Sequence, residues 1–421
     1  MSLFSNTDGG IQVLKRCSGT TWTLLSIPTK VHRLSFKLIY AEVRKEVGII
    51  LSTMTSLNRS VSFNTVQDVI QASKAAPSTG FPGWVPSEDF EENMKVLAAK
   101  LEKWRNERVP GQTAESSPYV TGAQTILSWW QSVIIGTACM VMLPFVAKYI
   151  LPETLHMMDV KEEVELMTSA SVTLKYIGNA PFAPELIPGM VEAIEKIGTE
   201  RRQWHHRLRI LMVIQVFYYR QLFVLSKSDR KRLFDVVIVL LNDSQLEVRE
   251  VASATLSGMV QCTKFDEKNL VLPLLQRFKT GILMNPMPKK RVPGGSGSGI
   301  STPQLQGINT PPRSGFNTPD SLDNLRLNKD AETLIRRHAA VLGLSSIIAA
   351  FPYEVPEWMP STLAFLANKA SGDRGMISMS VKKTLGDFKK THQDTWLIDQ
   401  KLFDEDELEA LEGVFSSNYF A

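Results

Sequence analysis

The chain has 421 residues, 47 basic against 43 acidic side chains and a formal net charge of +4. That length can hold two or three ordinary domains or one long repeat array. A balance so even gives no support to a protein that binds nucleic acid through bulk charge. The 43% hydrophobic and 21% charged content is that of a globular protein. Cys17, Cys139 and Cys262 are far apart and odd in number, so they build neither a disulfide framework nor a zinc spacing, which points to a reducing compartment. The opening MSLFSNTDGG lacks the basic-then-apolar layout of a signal peptide.

Helical periodicity dominates, and an alternating strand pattern is almost absent. Helices are expected over 36–57, 63–74, 87–107, 122–140, 143–157, 160–178, 183–198, 202–226, 229–241, 245–261, 265–281, 330–350, 360–370, 376–391 and 404–412. Short Pro, Gly, Asn or Asp punctuation ends many of them, as at Asn179-Ala-Pro, Asn242-Asp-Ser and Phe351-Pro. The expectation is an all-α protein, an α-solenoid of HEAT- or armadillo-like helix pairs. Its divisions are a poorly defined helical segment (1–120), helical repeats (121–284), a low-complexity insertion (285–328), C-terminal repeats (329–413) and an extended tail (414–421).

The run from Ile126 to Leu151 approaches the length of a membrane span. Gln131, Ser132 and Pro144 interrupt it and Lys148 follows, so buried core helices suit it better and no membrane partner is expected. The clearest repeat runs from Leu233 to Cys262. An apolar helix turns at Asn242-Asp243-Ser244 into a second helix with Val248, Ala252 and Leu256 on one stripe and Arg249 beside it. This unit resembles a HEAT repeat, in which the Val-Arg pair anchors the second helix to the turn. Ile377, Val381, Leu385 and Phe388 form a further stripe, flanked by Lys382, Lys383, Lys389 and Lys390.

Between these units, Asn285 to Asp323 is rich in Gly, Pro, Ser and Thr and should be disordered. Its GGSGSG run has neither the preceding strand nor the following helix that a phosphate loop needs. Thr302, Thr310 and Thr318 each precede a proline, which suits proline-directed phosphorylation as well as an ordinary Pro/Thr-rich linker. Lys289-Lys290-Arg291 reads as a weak nuclear-import signal or as a solvated basic cluster.

Nothing in the sequence argues for an enzyme, a catalytic residue or a metal site. Of the six histidines only His205 and His206 adjoin, and neighbours on a helix face different ways. Glu162-Glu163 reads as a solvated helix face, and Asp404 to Glu407 as acids at a helix N-terminus.

The last helix is firmly specified. Asp404 and Glu407 have capping-box spacing, Phe403 and Leu408 are placed as a hydrophobic staple, and Leu411 continues the stripe. Gly413 is suited to stop it. The following VFSSNYFA has no charged side chain and would reach roughly 25 Å if extended. On physics alone, a tail folded back on its own repeats and a tail inserted into a partner's pocket are equally open.

Arg336-Arg-His-Ala-Ala-Val-Leu-Gly-Leu344, Pro352-Tyr-Glu-Val-Pro-Glu-Trp-Met-Pro360, Val381-Lys-Lys-Thr-Leu385 and Phe388-Lys-Lys-Thr-His-Gln-Asp-Thr-Trp396 resemble segments of one family. So do Leu246-Glu-Val-Arg-Glu250 and Thr255-Leu-Ser-Gly258. The family is that of the large ATP-independent proteasome activators, the bleomycin-sensitivity family, and the resemblance is close from about Trp204 onward. It implies a HEAT-like dome over the end of the proteasome core particle. It also implies a C-terminus that enters a pocket of the 20S α-ring, pairs its carboxylate with a lysine and helps to open the gate. The docking motif, hydrophobic-Tyr-any residue, falls on Tyr419, Phe420 and Ala421. Phe420 departs from it by lacking the phenolic hydroxyl, a loss on the order of 1 kcal/mol.

The resemblance further implies nuclear and cytoplasmic location, a link to DNA repair, acetylated histones as partners and inositol phosphates as ligands. The acetyl-lysine region would fall at Thr263 and Phe265, where no asparagine stands to hold an acetyl carbonyl. Arg201, Arg202, Arg207 and Arg209 form either a basic group for phosphate or a solvated face. A HEAT scaffold for another cargo, such as a chromatin or transport adaptor, is the competing reading.

Overall fold

A computed structural model of the chain describes residues 46–52, 55, 88–111, 117–136, 139–200, 203–287 and 321–416. The helix expected at 63–74, most of the low-complexity insertion and the tail residues Tyr419, Phe420 and Ala421 lie outside the described residues. The protein is all-α, and among the described residues there is no strand. The chain divides into two compact units, Met1–Leu240 and Leu241–Ala421.

The first unit contains α1 (Glu88–Asn106), α2 (Pro118–Ile135), α3 (Cys139–Phe145), α4 (Leu151–Met157), α5 (Val164–Asn179), α6 (Ile187–Thr199), α7 (Trp204–Arg220) and α8 (Lys227–Leu241). Helix α5 is central, with α2, α4 and α7 all packing on it, and α6 packs on α7. The entry to α2 is written locally: the Ser117 hydroxyl accepts from the Val120 N–H, and Pro118 occupies the first turn, where its missing N–H costs nothing. From there α2 is buried almost all round, including Tyr119, Ile126, Leu127 and Trp130.

The apolar run of 126–151 is divided among α2, α3, a five-residue π-turn at Val146–Ile150 and the start of α4. Among the described residues no helix is long and apolar enough to cross a membrane. The polar interruption Gln131 has a structural use. Its amide donates to the Ser169 carbonyl at 2.8 Å and to Thr173 Oγ1 at 2.8 Å, fastening α2 to α5. Buried Glu153 of α4 accepts from Tyr119 at 2.7 Å and from Arg105, so that one carboxylate joins three helices.

Helix α7 stops at Arg220, short of the expected 226. Gln221 turns inward and donates to the Ala180 carbonyl at 2.9 Å. Ser226 then caps α8, accepting from the Asp229 N–H at 3.1 Å while its own hydroxyl reaches the Asp229 carboxylate.

The second unit contains α9 (Leu246–Cys262), α10 (Leu272–Met284), α11 (Ser321–Ala349), α12 (Met359–Ala370), α13 (Met376–Thr391), α14 (Trp396–Asp399) and α15 (Glu405–Ser416). The 29-residue α11 is its spine, with α9, α10, α12 and α13 against it, and α15 packs on α12. It starts nine residues before the expected 330, inside the stretch read as low complexity. In the sequence an Asp, a residue type that favours helix starts, directly precedes Ser321. The α13 stripe is buried as its spacing requires, with Val381 and Leu385 fully inaccessible. Each such side chain contributes about 1.5–3 kcal/mol relative to exposure. Lys382, Lys383, Lys389 and Lys390 lie on the exposed face.

Two expected helices begin differently for one reason. The π-turns at Val146–Ile150 and Glu267–Val271 each lead into a Leu-Pro pair, Leu151-Pro152 and Leu272-Pro273. The leucine N–H reaches back five residues, to the carbonyls of Val146 and Glu267 respectively. A proline has no N–H to offer the residue four before it, and its ring crowds that carbonyl. Widening the turn by one residue accommodates both effects.

Candidate functional site

The repeat turn that the sequence singled out is built as expected. Val248, Ala252 and Leu256 are fully buried, and the Arg249 guanidinium, also buried, donates to the carbonyls of Asp243 at 2.6 Å and Ser244 at 3.1 Å. The Asp243 carboxylate accepts from the Gln245 N–H, closing the turn. On the other side, Arg249 Nε meets His338 Nδ1 at 3.3 Å, and His338 Nε2 meets Ser380 at 3.0 Å. Burial and the neighbouring guanidinium push the His338 imidazole down to about 4.

Next to it on α11, Arg337 acts as a second anchor. It donates to the carbonyls of Ile282 and Asn285 at the end of α10 and of Lys369 at the end of α12. Three orphan carbonyls at two helix C-termini are thus satisfied by one cation.

The acetyl-lysine region is arranged differently from its sequence reading. Thr263 is buried and donates to the Met259 carbonyl at 2.7 Å, ending α9 rather than lining a cavity. The side chain of Phe265 lies outside the described residues. A cavity of about 820 Å³ nevertheless opens immediately after it, at the π-turn, lined by Lys264, Asp266, Glu267, Asn269, Leu272 and Trp358 among others. Asn269, on the lining, donates its side-chain amide to Asp266 at 2.8 Å. The Trp358 indole donates to Glu267 at 2.8 Å, holding one wall. Asn269 lies within the π-turn that precedes the Leu272-Pro273 pair.

The base of the tail is equally specific. Asp404 Oδ1 accepts from the Glu407 N–H at 2.7 Å, and Glu407 Oε2 accepts from the Asp404 N–H at 3.1 Å, completing the capping box. Phe403 is buried against the rings of Phe388 and Trp396, while Leu408 is half-buried. Gly413 does not end α15, which runs on to Ser416. Leu411 and Val414 are buried on either side of it, and that packing outweighs the roughly 1 kcal/mol that a glycine costs inside a helix. Helix α15 therefore takes in residues 414–416 of the stretch expected as an extended tail, and residues 417–421 lie outside the described residues.

In the first unit, Glu162 sits in the turn before α5, not on a helix, and pairs with Arg108 at 2.9 Å. Arg207 is buried and donates to the Glu200 carbonyl, and Arg209 is bound to Asp159, so neither belongs to a solvated basic face. His205 and His206 do point apart, His205 stacking on Trp204. His206 instead meets His156 and Asp159, two residues with an i, i+3 spacing that the sequence reading did not weigh.

Successive α-helices fastened by buried arginines at their turns and helix ends define a helical-repeat scaffold of the HEAT type. Residues 334–421 match the family model described as Proteasome activator complex subunit 4-like, C-terminal. Proteasome activator complex subunit 4A of Danio rerio is 29% identical over 400 residues, 91% of this chain and 19% of that protein. The Homo sapiens Proteasome activator complex subunit 4 is 27% identical over 397 residues, with the same coverages of 91% and 19%. Proteasome activator BLM10 of Saccharomyces cerevisiae is 26% identical over 396 residues, 92% of this chain and 17% of that protein. Over about nine-tenths of its length the chain is thus similar to part of each of these activators, and its residues 334–421 to their C-terminal module. It spans about a fifth of the length of these curated relatives.

Proposed function

We propose that the chain works as the core-particle-binding portion of a proteasome activator, a scaffold and not a catalyst. The observation that carries this reading is the match of residues 334–421 to the C-terminal module of the activators, on a unit whose last helix is capped and packed. In this reading Tyr419 and Phe420 enter a pocket of the 20S α-ring, and the Ala421 carboxylate pairs with a lysine there. Docking promotes gate opening without ATP, and hydrolysis belongs to the core particle. The chain acts in both nucleus and cytoplasm and serves DNA repair through protein degradation.

The test is co-sedimentation of the full chain with purified core particles, with and without residues Tyr419–Ala421. Loss of binding on deletion supports the proposal, and unchanged binding overturns the tail's role. Because Phe420 lacks a hydroxyl, Phe420→Tyr should raise peptide hydrolysis by the core particle. No gain would remove the hydroxyl from the mechanism.

A second reading, recognition of acetylated histone tails, is favoured by Asn269 in the cavity beside Trp358. Binding of acetylated but not unmodified histone peptides, lost in Asn269→Ala, is its expected signature. Binding that ignores acetylation would point to another cargo for the scaffold. Inositol phosphates, the other ligand class implied by the family, would have to use cations other than Arg207 and Arg209, which are engaged internally.

A further inference from the structure

His156, Asp159 and His206 converge from two parts of the first unit. His156 lies in the last turn of α4, Asp159 two residues past its end, and His206 in the first turn of α7. One ligand-type atom from each lies within 4.8 Å of those of the other two. The His206 Nε2 to Asp159 Oδ2 distance is 2.7 Å, and the two imidazole rings stand edge to face with centroids 4.9 Å apart. Ligand atoms on one tetrahedral zinc stand about 3.4 Å apart, given bond lengths of about 2.1 Å. The observed spacings bracket that value, so small side-chain rotations bring all three onto one ion.

The surroundings pre-set the group. Arg209 donates to Asp159 Oδ1 at 2.6 Å and to the carbonyls of Leu155 at 3.3 Å and Met158 at 3.0 Å. It thereby fixes the turn after α4 and leaves Oδ2 to face His206, with which it is hydrogen-bonded. The His156 carbonyl accepts from the Asp159 N–H at 3.0 Å, which ties the two residues into one turn, while its ring stands edge to face with that of His206. His206 is buried and Asp159 is partly open to solvent, which gives an ion a path in from one side.

We infer that His156, Asp159 and His206 form a binding site for a divalent transition-metal ion, zinc above all, which clamps the end of α4 to the start of α7. Two imidazoles and one carboxylate form a borderline ligand set that suits zinc and leaves a fourth position for water. Calcium and magnesium, which require oxygen ligands, are disfavoured.

The experiment uses the full chain, stripped with a chelator and kept reduced so that its thiols do not cross-link. Zinc is titrated against a chromophoric competitor, and cobalt is added separately to read the visible bands of a tetrahedral nitrogen–oxygen site. One ion per chain is expected, with a rise in the thermal midpoint of the first unit. His156→Gln and His206→Gln should each weaken binding on the order of a hundredfold or more, with helical circular dichroism unchanged for half-buried His156. If His206→Gln unfolds, the His156→Gln result alone decides. No stoichiometric uptake, cobalt bands typical of thiolate ligation, or uptake unchanged in His156→Gln would each overturn the assignment.

Discussion

Arg337 and Asp373 form a forked ion pair, Nε to Oδ2 at 2.5 Å and Nη2 to Oδ1 at 3.1 Å, with both side chains over nine-tenths buried. The same guanidinium holds the ends of α10 and α12, so this pair is the point where three helices of the second unit are tied. Removing the cation leaves a buried carboxylate and three carbonyls without their donor. Arg337→Met is expected to destabilise that unit by about 3–5 kcal/mol, read as a shift in its urea midpoint. Asp373→Asn should cost less, because the arginine keeps its carbonyl partners.

The His338 imidazole predicts an acid-sensitive fold. Its Nδ1 faces the Arg249 guanidinium and its Nε2 faces Ser380, so the ring is held neutral in the folded chain. Its folded value of about 4 lies below that of an unfolded histidine, about 6.5. Between those values the unfolded chain binds the extra proton. Stability is therefore full above the unfolded value, falls as pH drops through the window and levels off below the folded value. The loss is at most about 3 kcal/mol. Equilibrium unfolding at a series of pH values should show this slope, flattened in His338→Gln.

Gly343 is where α11 meets α10. A Cβ there would stand 2.4–2.5 Å from three atoms of the buried Phe278 ring. Gly343→Ala should therefore destabilise the unit by about 1–3 kcal/mol. Gly386 in α13 has no atom within 4 Å of an added Cβ. There, alanine should stabilise by up to about 1 kcal/mol. Opposite signs in thermal melts are the check.

The reciprocal bonds of Asp404 and Glu407 hold the first turn of α15. Asp404→Ala should cost about 1 kcal/mol, concentrated locally. Hydrogen exchange should rise in α15 and stay unchanged in α9. Equal changes in both would mean that the cap stabilises the whole unit.

What could be read from the letters was whatever depended on neighbours in sequence. The Val248, Ala252 and Leu256 stripe, the anchoring role of Arg249 and the cap at Asp404 all follow from spacings within a turn or two. Helix ends were less legible where tertiary burial decided them: Leu411 and Val414 carry α15 past Gly413, and Gln221 turns inward to stop α7. The candidate sites were least legible. His156 and His206 are fifty positions apart, and only the packing of α4 and α7 on α5 brings them together. Asn269 stands four positions past Phe265, and its place on the cavity lining depends on a bulged turn that local spacing does not reveal.

The two bulged turns before Leu-Pro also act as phase slips. One additional residue advances everything downstream by about 100° around the helix axis. A helical wheel drawn straight through Val146–Ile150 is therefore out of phase with α4. Leu151, Glu153, Thr154, Leu155 and Met157 of α4 are buried, and half-buried His156 lies beside His206 of α7. Deleting a single residue from that turn would swing His156 away from His206 by about a quarter turn or more, with no change to either histidine.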